Sequence, residues 1–238
     1  VIALGGGGGK GSRGKSAAKI SRAAPTENIS TRQSRSASRR YVNIAAAAGG
    51  VILTAPLMAL IAVLIKLTSR GPVLYKQSRV GLDRRSIRTI GDNWRRNGNA
   101  GGRPFTIFKF RTMTVSSGAA QVWASPDDAR VTPVGRVLRR SRLDELPQLF
   151  NVLRREMNVV GPRPEQLDIF EHLRARIDQY PHRQQVLPGI TGWAQINLAY
   201  DRSLDDVRKK VALDLEYIRR QSVVEDLKIM FRTLPVML

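Results

Sequence analysis

The sequence predicts a small mixed α/β domain on the cytoplasmic face of a membrane, held there by an N-terminal re-entrant helix and by interfacial amphipathic helices. Three observations predict it. Residues 44–65 form one apolar stretch without a charge, interrupted by Pro56 and flanked by basic residues on both sides. Short strand-like and helix-like patterns follow in mixed order. The chain of 238 residues carries a formal net charge of +21, which calls for an anionic partner, either nucleic acid or a phosphate-bearing membrane surface.

The first segment, 1–41, holds nine Lys/Arg and a single acid, Glu27, among Gly, Ser and Ala. Such a composition buries too little apolar surface to offset its ordering entropy, so a disordered basic tail is expected. It does not have the layout of a signal peptide. The chain does not begin with Met, as expected of a processed or truncated start. Gly9, Gly14, Lys15 and Ser16 match the spacing of a phosphate-binding loop. That loop works only between a buried strand and a helix, and there is no room for either here, so the match reads as a coincidence.

The second segment, 42–70, holds the apolar stretch. Its 22 uncharged residues are long enough to cross a bilayer. However, Pro56 removes a backbone hydrogen bond near the middle. Arg39 and Arg40 precede the stretch, and Lys66 and Arg70 follow it, so both flanks favour the cytoplasm. A helix broken at Pro56 that enters and leaves by one face satisfies both facts. A kinked spanning helix and a buried core helix are the alternatives.

The third segment, 71–238, is the folded domain. Residues 73–79 and 105–110 read as strands. Leu146, Leu149, Phe150 and Leu153 recur at helical spacing and mark a helix with one buried face. Leu227, Met230, Phe231 and Leu234 repeat that spacing beside Lys228 and Arg232, which suits a helix lying on a membrane surface better than a core helix. Residues 82–103, rich in Gly and Arg, read as a mobile insertion. There is no Cys, hence no disulfide, thiolate metal site or cysteine nucleophile. His172 and His182 are too few for a histidine-built metal centre.

The chemistry concentrates at 141–148, Ser-Arg-Leu-Asp-Glu-Leu-Pro-Gln. Ser141 is expected to cap a helix, with Asp144 completing a box-like pattern and Pro147 in the first turn. Acids at a helix start are a common stabilising device. The same place also attracts phosphate. Two adjacent carboxylates there could divide labour, one as nucleophile and one binding Mg²⁺ along with substrate phosphates. Arg139, Arg140 and Arg142 lie nearby, Lys109 and Arg111 close an apolar strand, and Pro162 and Pro164 stiffen the backbone around Arg163. A rigid arginine and a strand-end lysine suit a pyrophosphate. Trp193 and Asn197 follow a Pro-Gly turn, where a packed loop with a core Trp is the plain expectation.

These runs resemble the bacterial sugar transferase family, the monotopic polyprenyl-phosphate phosphoglycosyl transferases. They are Lys-Phe-Arg-Thr-Met at 109–113, Asp-Ala-Arg-Val-Thr-Pro-Val-Gly at 128–135, and Leu-Asp-Glu-Leu-Pro-Gln-Leu-Phe-Asn-Val-Leu at 143–153. Gly-Pro-Arg-Pro at 161–164, Pro-Gly-Ile-Thr-Gly-Trp-Ala-Gln-Ile-Asn at 188–197 and Leu-Asp-Leu-Glu-Tyr at 213–217 complete the set, in the family order.

The resemblance implies a cytoplasmic α/β catalytic domain on the bacterial inner membrane. It implies transfer of a sugar-1-phosphate from a UDP-hexose to undecaprenyl phosphate, the initiating step of exopolysaccharide or other glycoconjugate synthesis. It further implies that Asp144 attacks the β-phosphate to form a covalent phosphosugar, that Glu145 holds Mg²⁺, and that Arg163 contacts a phosphate. Lys109, Arg111 and Asp214 match further functional positions. The expected partners are the UDP-sugar, the polyprenyl phosphate and membrane lipid, not nucleic acid, and there is room for a homodimer. Ala55-Pro56 stands where small members often carry Ser-Pro, so a hydroxyl back-bond is expected to be lost. The 82–103 insertion is longer than the family leads one to expect. With no multi-span segment before residue 44, the compact members are the expected comparison. A non-catalytic membrane scaffold of the same fold, and a basic nucleic-acid-binding protein, are the competing classes. The latter is disfavoured by only 6% aromatic residues and by the apolar stretch.

Overall fold

The long apolar stretch and the short patterns after it become seven helices and two small sheets among the described residues, which in this computed structural model are 29–83, 102–114, 128–198 and 203–233. The phosphate-loop match at 9–16, most of the 82–103 insertion and Leu234 lie outside them.

Helix α1 (Ile29–Thr68) differs from expectation in two ways. It starts within the segment read as a basic tail, because 29–41 contains neither Gly nor Pro and its end is held by the domain. It also runs through Pro56 without interruption. Pro56 leaves the carbonyl of Ile52 without its usual N–H donor. Two residues earlier, the Thr54 hydroxyl donates to the Gly50 carbonyl at 2.7 Å, so Thr54 makes a back-bond that Ala55 cannot.

One face of α1 is buried against the domain along most of its length. Asn43, Ala47, Met58, Ile61 and Ile65 are buried, while Ile52, Leu53, Leu60, Val63 and Leu67 are exposed. Polar clamps hold both ends. Arg39 donates to Asp226 at 3.0 Å and to the Tyr217 hydroxyl at 2.7 Å, and the Asn43 side-chain oxygen accepts from the Val159 N–H at 2.7 Å. At the far end, Arg111 donates to the Ser69 carbonyl at 2.7 Å and to its hydroxyl at 2.8 Å. Between the clamps, Met58, Ile61 and Ile65 pack on Phe110 and Leu138.

Strands β1 (Leu74–Val80) and β2 (Pro104–Phe110) pair antiparallel, close to the expected spans, with Leu74 opposite Phe110 and Val80 opposite Pro104. Helix α2 (Pro133–Arg140) starts from Thr132, whose hydroxyl accepts from the Gly135 N–H at 2.9 Å. A 3₁₀ turn, Leu143–Glu145, leads into α3 (Gln148–Leu153). Strands β3 (Asn158–Val160) and β4 (Gly189–Thr191) form a short parallel pair. They approach so closely that a Cβ on Gly189 would sit 2.0 Å from the Gly161 nitrogen. Helices α4 (Leu167–Arg174), α5 (Trp193–Asn197), α6 (Leu204–Arg220) and α7 (Val223–Thr233) pack around these sheets.

Two helix faces depart from the sequence pattern. The buried face of α3 is Gln148, Asn151 and Val152. The apolar stripe instead turns towards α1: Leu146 packs with the Met58–Ile65 cluster, Leu149 and Leu153 pack with Ala47, and Phe150 stays exposed. Asn151 occupies the inner face because it ties α3 to β2, accepting from the Phe108 N–H at 3.1 Å and donating to the Thr106 carbonyl at 2.7 Å. In α7, Leu227 and Phe231 face outward as a surface-lying helix requires, while the core contact is made by Ile229, which lies outside the stripe, with Met230 of the stripe packed beside it.

Candidate active site

Asp144 and Glu145 are placed by a chain reversal that the sequence does not announce. Ser141 caps the end of α2, not the start of a helix, and its hydroxyl donates to the Val137 carbonyl at 2.9 Å. Arg142 then takes a left-handed backbone conformation, φ 54° and ψ 15°, and turns the chain into the 3₁₀ turn. The expected capping box is therefore not made. A non-glycine residue in this conformation costs on the order of 1 kcal/mol. Pro147 sits just ahead of α3, so the acidic pair still precedes a helix start.

The two carboxylates differ sharply. Glu145 is buried and doubly paired: its Oε1 lies 2.7 Å from Lys109 Nζ and 2.6 Å from Arg163 Nη2. Its Oε2 has only a long 3.4 Å contact with Arg163 Nη1. Burial pushes the Glu145 carboxyl up, but Arg163 and Lys109 outweigh it and hold the group below its usual range. Asp144 is 9% exposed and has no side-chain hydrogen bond or ion pair among the described residues. Burial pushes its pKa up to about 6, with Lys109 opposing the rise and Glu145 adding to it. At neutral pH this leaves an ionised, unpaired carboxylate, which is the state a nucleophile needs.

Arg163 is itself held in place. Its Nη1 donates to the Gln195 side-chain oxygen at 3.1 Å, and its backbone carbonyl accepts from Arg183 at 3.0 Å. Arg183 is locked by Asp214 at 2.6 Å and by the Tyr180 hydroxyl at 3.0 Å. Asp214 thus lies two contacts away from Arg163 and does not enter the Asp144–Glu145 cluster. Burial pushes the Asp214 carboxyl up and Arg183 opposes the rise. Arg111 also stands apart. It caps the end of α1, and its Nε and Nη1 are buried without a partner. Of the six residues singled out from sequence, four converge: Asp144, Glu145, Lys109 and Arg163. Gln195 and Arg183 join the assembly without having been singled out. Gln195 lies in the quoted 188–197 run, whereas nothing local marks Arg183. Trp193 is only half-buried: Arg220 covers its ring at 4.1 Å, and its N–H donates to Glu216 at 3.2 Å.

An open cleft abuts Glu145, lined also by Arg142, Leu146, Leu149, Ile190, Thr191 and Thr233. No cluster of three or more metal-ligating side chains occurs among the described residues. Over residues 37–68, α1 is long and apolar enough to cross a membrane.

The sequence matches the model of one protein family, Bacterial sugar transferase, over residues 34–91 and 93–238. It is 42% identical over 202 residues to the UDP-N-acetylgalactosamine-undecaprenyl-phosphate N-acetylgalactosaminephosphotransferase of Aeromonas hydrophila, covering 84% of this chain and 43% of that protein. It is 41% identical over 203 residues to the UDP-glucose:undecaprenyl-phosphate glucose-1-phosphate transferase of Caulobacter vibrioides, covering 84% of this chain and 69% of that protein. It is 42% identical over 186 residues to the protein of the same name in Escherichia coli K12, covering 77% of this chain and 36% of that protein. The aligned stretch is thus less than half the length of the first and last of these relatives.

Proposed function

The chain belongs to the bacterial sugar transferase family, and from that premise we propose that it transfers a sugar-1-phosphate from a UDP-sugar to undecaprenyl phosphate, with Asp144 as the nucleophile. The observation that carries the reading is the contrast within the acidic pair. Asp144 is buried, unpaired and ionised near neutrality, while Glu145 is fixed by Lys109 and Arg163.

In the first step an Asp144 carboxylate oxygen attacks the β-phosphorus of the UDP-sugar. A P–O bond forms to Asp144, and the bond to the bridging oxygen breaks. UMP leaves with that oxygen, and no proton is required. In the second step an oxygen of the lipid phosphate attacks the same phosphorus and Asp144 leaves as a carboxylate. The product is a polyprenyl-diphosphate sugar that feeds exopolysaccharide or other glycoconjugate synthesis. Arg163 and Lys109 supply fixed positive charge beside the reacting phosphates, where charge builds in both transition states.

Mg²⁺ fits this donor set in a limited way. The Glu145 Oε2 retains free lone pairs beside an unpaired Asp144, and Mg²⁺ is commonly held by one or two carboxylates together with substrate phosphates. Glu145 is the residue that would hold it, and the ion would supply further neutralisation of phosphate charge.

The membrane arrangement belongs to the same proposal: a cytoplasmic domain on the inner membrane with both ends of α1 on one side. The clamps at Arg39 and Asn43 and at Ser69 reach the same domain. A helix crossing about 30 Å of hydrocarbon would carry its ends to opposite faces. Single cysteines introduced at Ser36 and Ser203 should label equally with an impermeant reagent, and opposite labelling would remove the re-entrant arrangement. The activity is tested by supplying the full chain with undecaprenyl phosphate, Mg²⁺ and a panel of nucleotide sugars. Release of nucleoside monophosphate with at least one UDP-sugar is expected, and none with any sugar would reject the reading.

A further inference from the structure

The cleft beside Glu145 combines features that a sugar nucleotide does not need. Its floor is Leu146, Leu149 and Ile190. Its hydroxyls, Thr191 and Thr233, hydrogen-bond to each other at 2.8 Å, and Thr233 donates to the Ile229 carbonyl at 2.8 Å, so both O–H donors are already used. A uracil or sugar placed there would lose its hydrogen bonds to water and find few replacements. Leu149 links the cleft to the apolar helix: its side chain lies so close to Gly50 of α1 that a Cβ there would meet it at 3.2 Å. The cleft is therefore bounded by Leu149, which packs on the apolar helix, and by Glu145 of the acidic pair.

Its cationic group is Arg142. This guanidinium makes no hydrogen bond or ion pair among the described residues, unlike Arg163, Arg183 and Arg39. Its backbone holds the left-handed conformation that glycine would adopt without strain. An unpaired arginine, on a strained turn two residues before Asp144, lines an apolar cleft. That combination matches an amphiphile with an anionic head and a hydrocarbon tail.

Resting on the function proposed above, we infer that this cleft is the acceptor subsite: Arg142 binds the phosphate of the polyprenyl phosphate, and Leu146, Leu149 and Ile190 receive its first isoprene units. The donor pyrophosphate is then left to Arg163 and Lys109, which pair with Glu145 and do not line the cleft. The two anionic substrates are held by separate cations, so acceptor affinity can be changed separately from donor chemistry.

The test uses Arg142→Gly, which suits the backbone conformation, and Arg142→Lys, which restores charge. The full chain is assayed in detergent micelles with UDP-sugar and either polyprenyl phosphate or a soluble two-isoprene phosphate. Arg142→Gly should raise the KM for both acceptors about tenfold, the loss expected for a charge-assisted contact, with Arg142→Lys recovering part of it. The KM for the UDP-sugar should not follow. Acceptor KM values within twofold of wild type would overturn the inference. So would a rise confined to the long-chain acceptor, which would place Arg142 against lipid headgroups. An equal rise for the UDP-sugar would assign Arg142 to the donor and overturn it as well. Failure of the function reading is distinguishable, because wild type would then release no UMP at all.

Discussion

Replacing Asp144 by Asn should make the protein more stable at alkaline pH while ending its chemistry. The carboxyl is 9% exposed and unpaired, and its pKa stands at about 6 against an ordinary 3.8. Between those values the folded protein keeps a proton that the unfolded chain has released. Stability therefore falls as pH rises through this window, and the full cost is present above about pH 6. At about 1.4 kcal/mol for each tenfold change in proton affinity, the buried charge costs roughly 3 kcal/mol. Asparagine keeps the shape and removes that cost. In a chain of this size the gain corresponds to a Tm higher by roughly 6–12 °C. Thermal unfolding of wild type and variant in nanodiscs, followed from about pH 4 to about pH 8, measures it, and the gain should shrink towards zero at the acid end. A variant less stable than wild type at the alkaline end would refute the reasoning, as would a gain independent of pH. Either result would mean that Asp144 has a partner and is not the free carboxylate described here.

Three other outcomes follow from the same geometry. The rate of the nucleotide-release step should fall as pH drops through about 6, where Asp144 takes up a proton; a profile flat down to about pH 4 would contradict it. Glu145→Gln should abolish turnover and destabilise the fold by about 3 kcal/mol, because it leaves Lys109 and Arg163 facing each other unneutralised; denaturant unfolding that matches wild type would count against the pairing. Asp214→Asn should cost about 2 kcal/mol of stability, because the buried Arg183 loses its closer carboxylate and keeps only Glu165 at 3.7 Å, and it should slow nucleotide release per folded molecule because the anchor of the Arg163 backbone loosens; unchanged values of both would show that the relay carries nothing.

Lys109 and Arg163 are legible from sequence because each is a charge set in an apolar or proline-stiffened run, and the acidic pair because it gathers with these cations, since acids at a helix start alone have a plain structural use. Partners brought from far along the chain are not legible. Arg111 stands out at the end of an apolar strand, but the Ser69 carbonyl it binds lies far along the chain. Asp214 stands out only through the resemblance, and its partner Arg183 is visible only once α6 packs against 180–185. The turn at Arg142 escapes notice because arginine is a poor signal for a left-handed backbone, and without that turn Ser141 looks like the start of a helix instead of the end of one. The two strands of the antiparallel pair are legible to within a residue, since alternation needs only local pattern, whereas β3 and β4, three residues each, are too short to show one. The burial of α3 is not legible, because its apolar stripe is matched to α1 rather than to the domain interior. Asn43 and Asn151, polar residues inside apolar runs, are the local marks of the clamps that sequence reading passed over.

The central claim is that Asp144 carries the phosphosugar between donor and acceptor. Incubating the wild-type chain with UDP-sugar and Mg²⁺, without polyprenyl phosphate, and recording its intact mass tests this most directly. The account predicts a mass increase of one hexose phosphate per chain, mapping to Asp144 and absent in Asp144→Asn. Normal turnover by a wild type that never shows the adduct, together with substantial activity in Asp144→Asn, would contradict it and favour direct transfer between the two substrates.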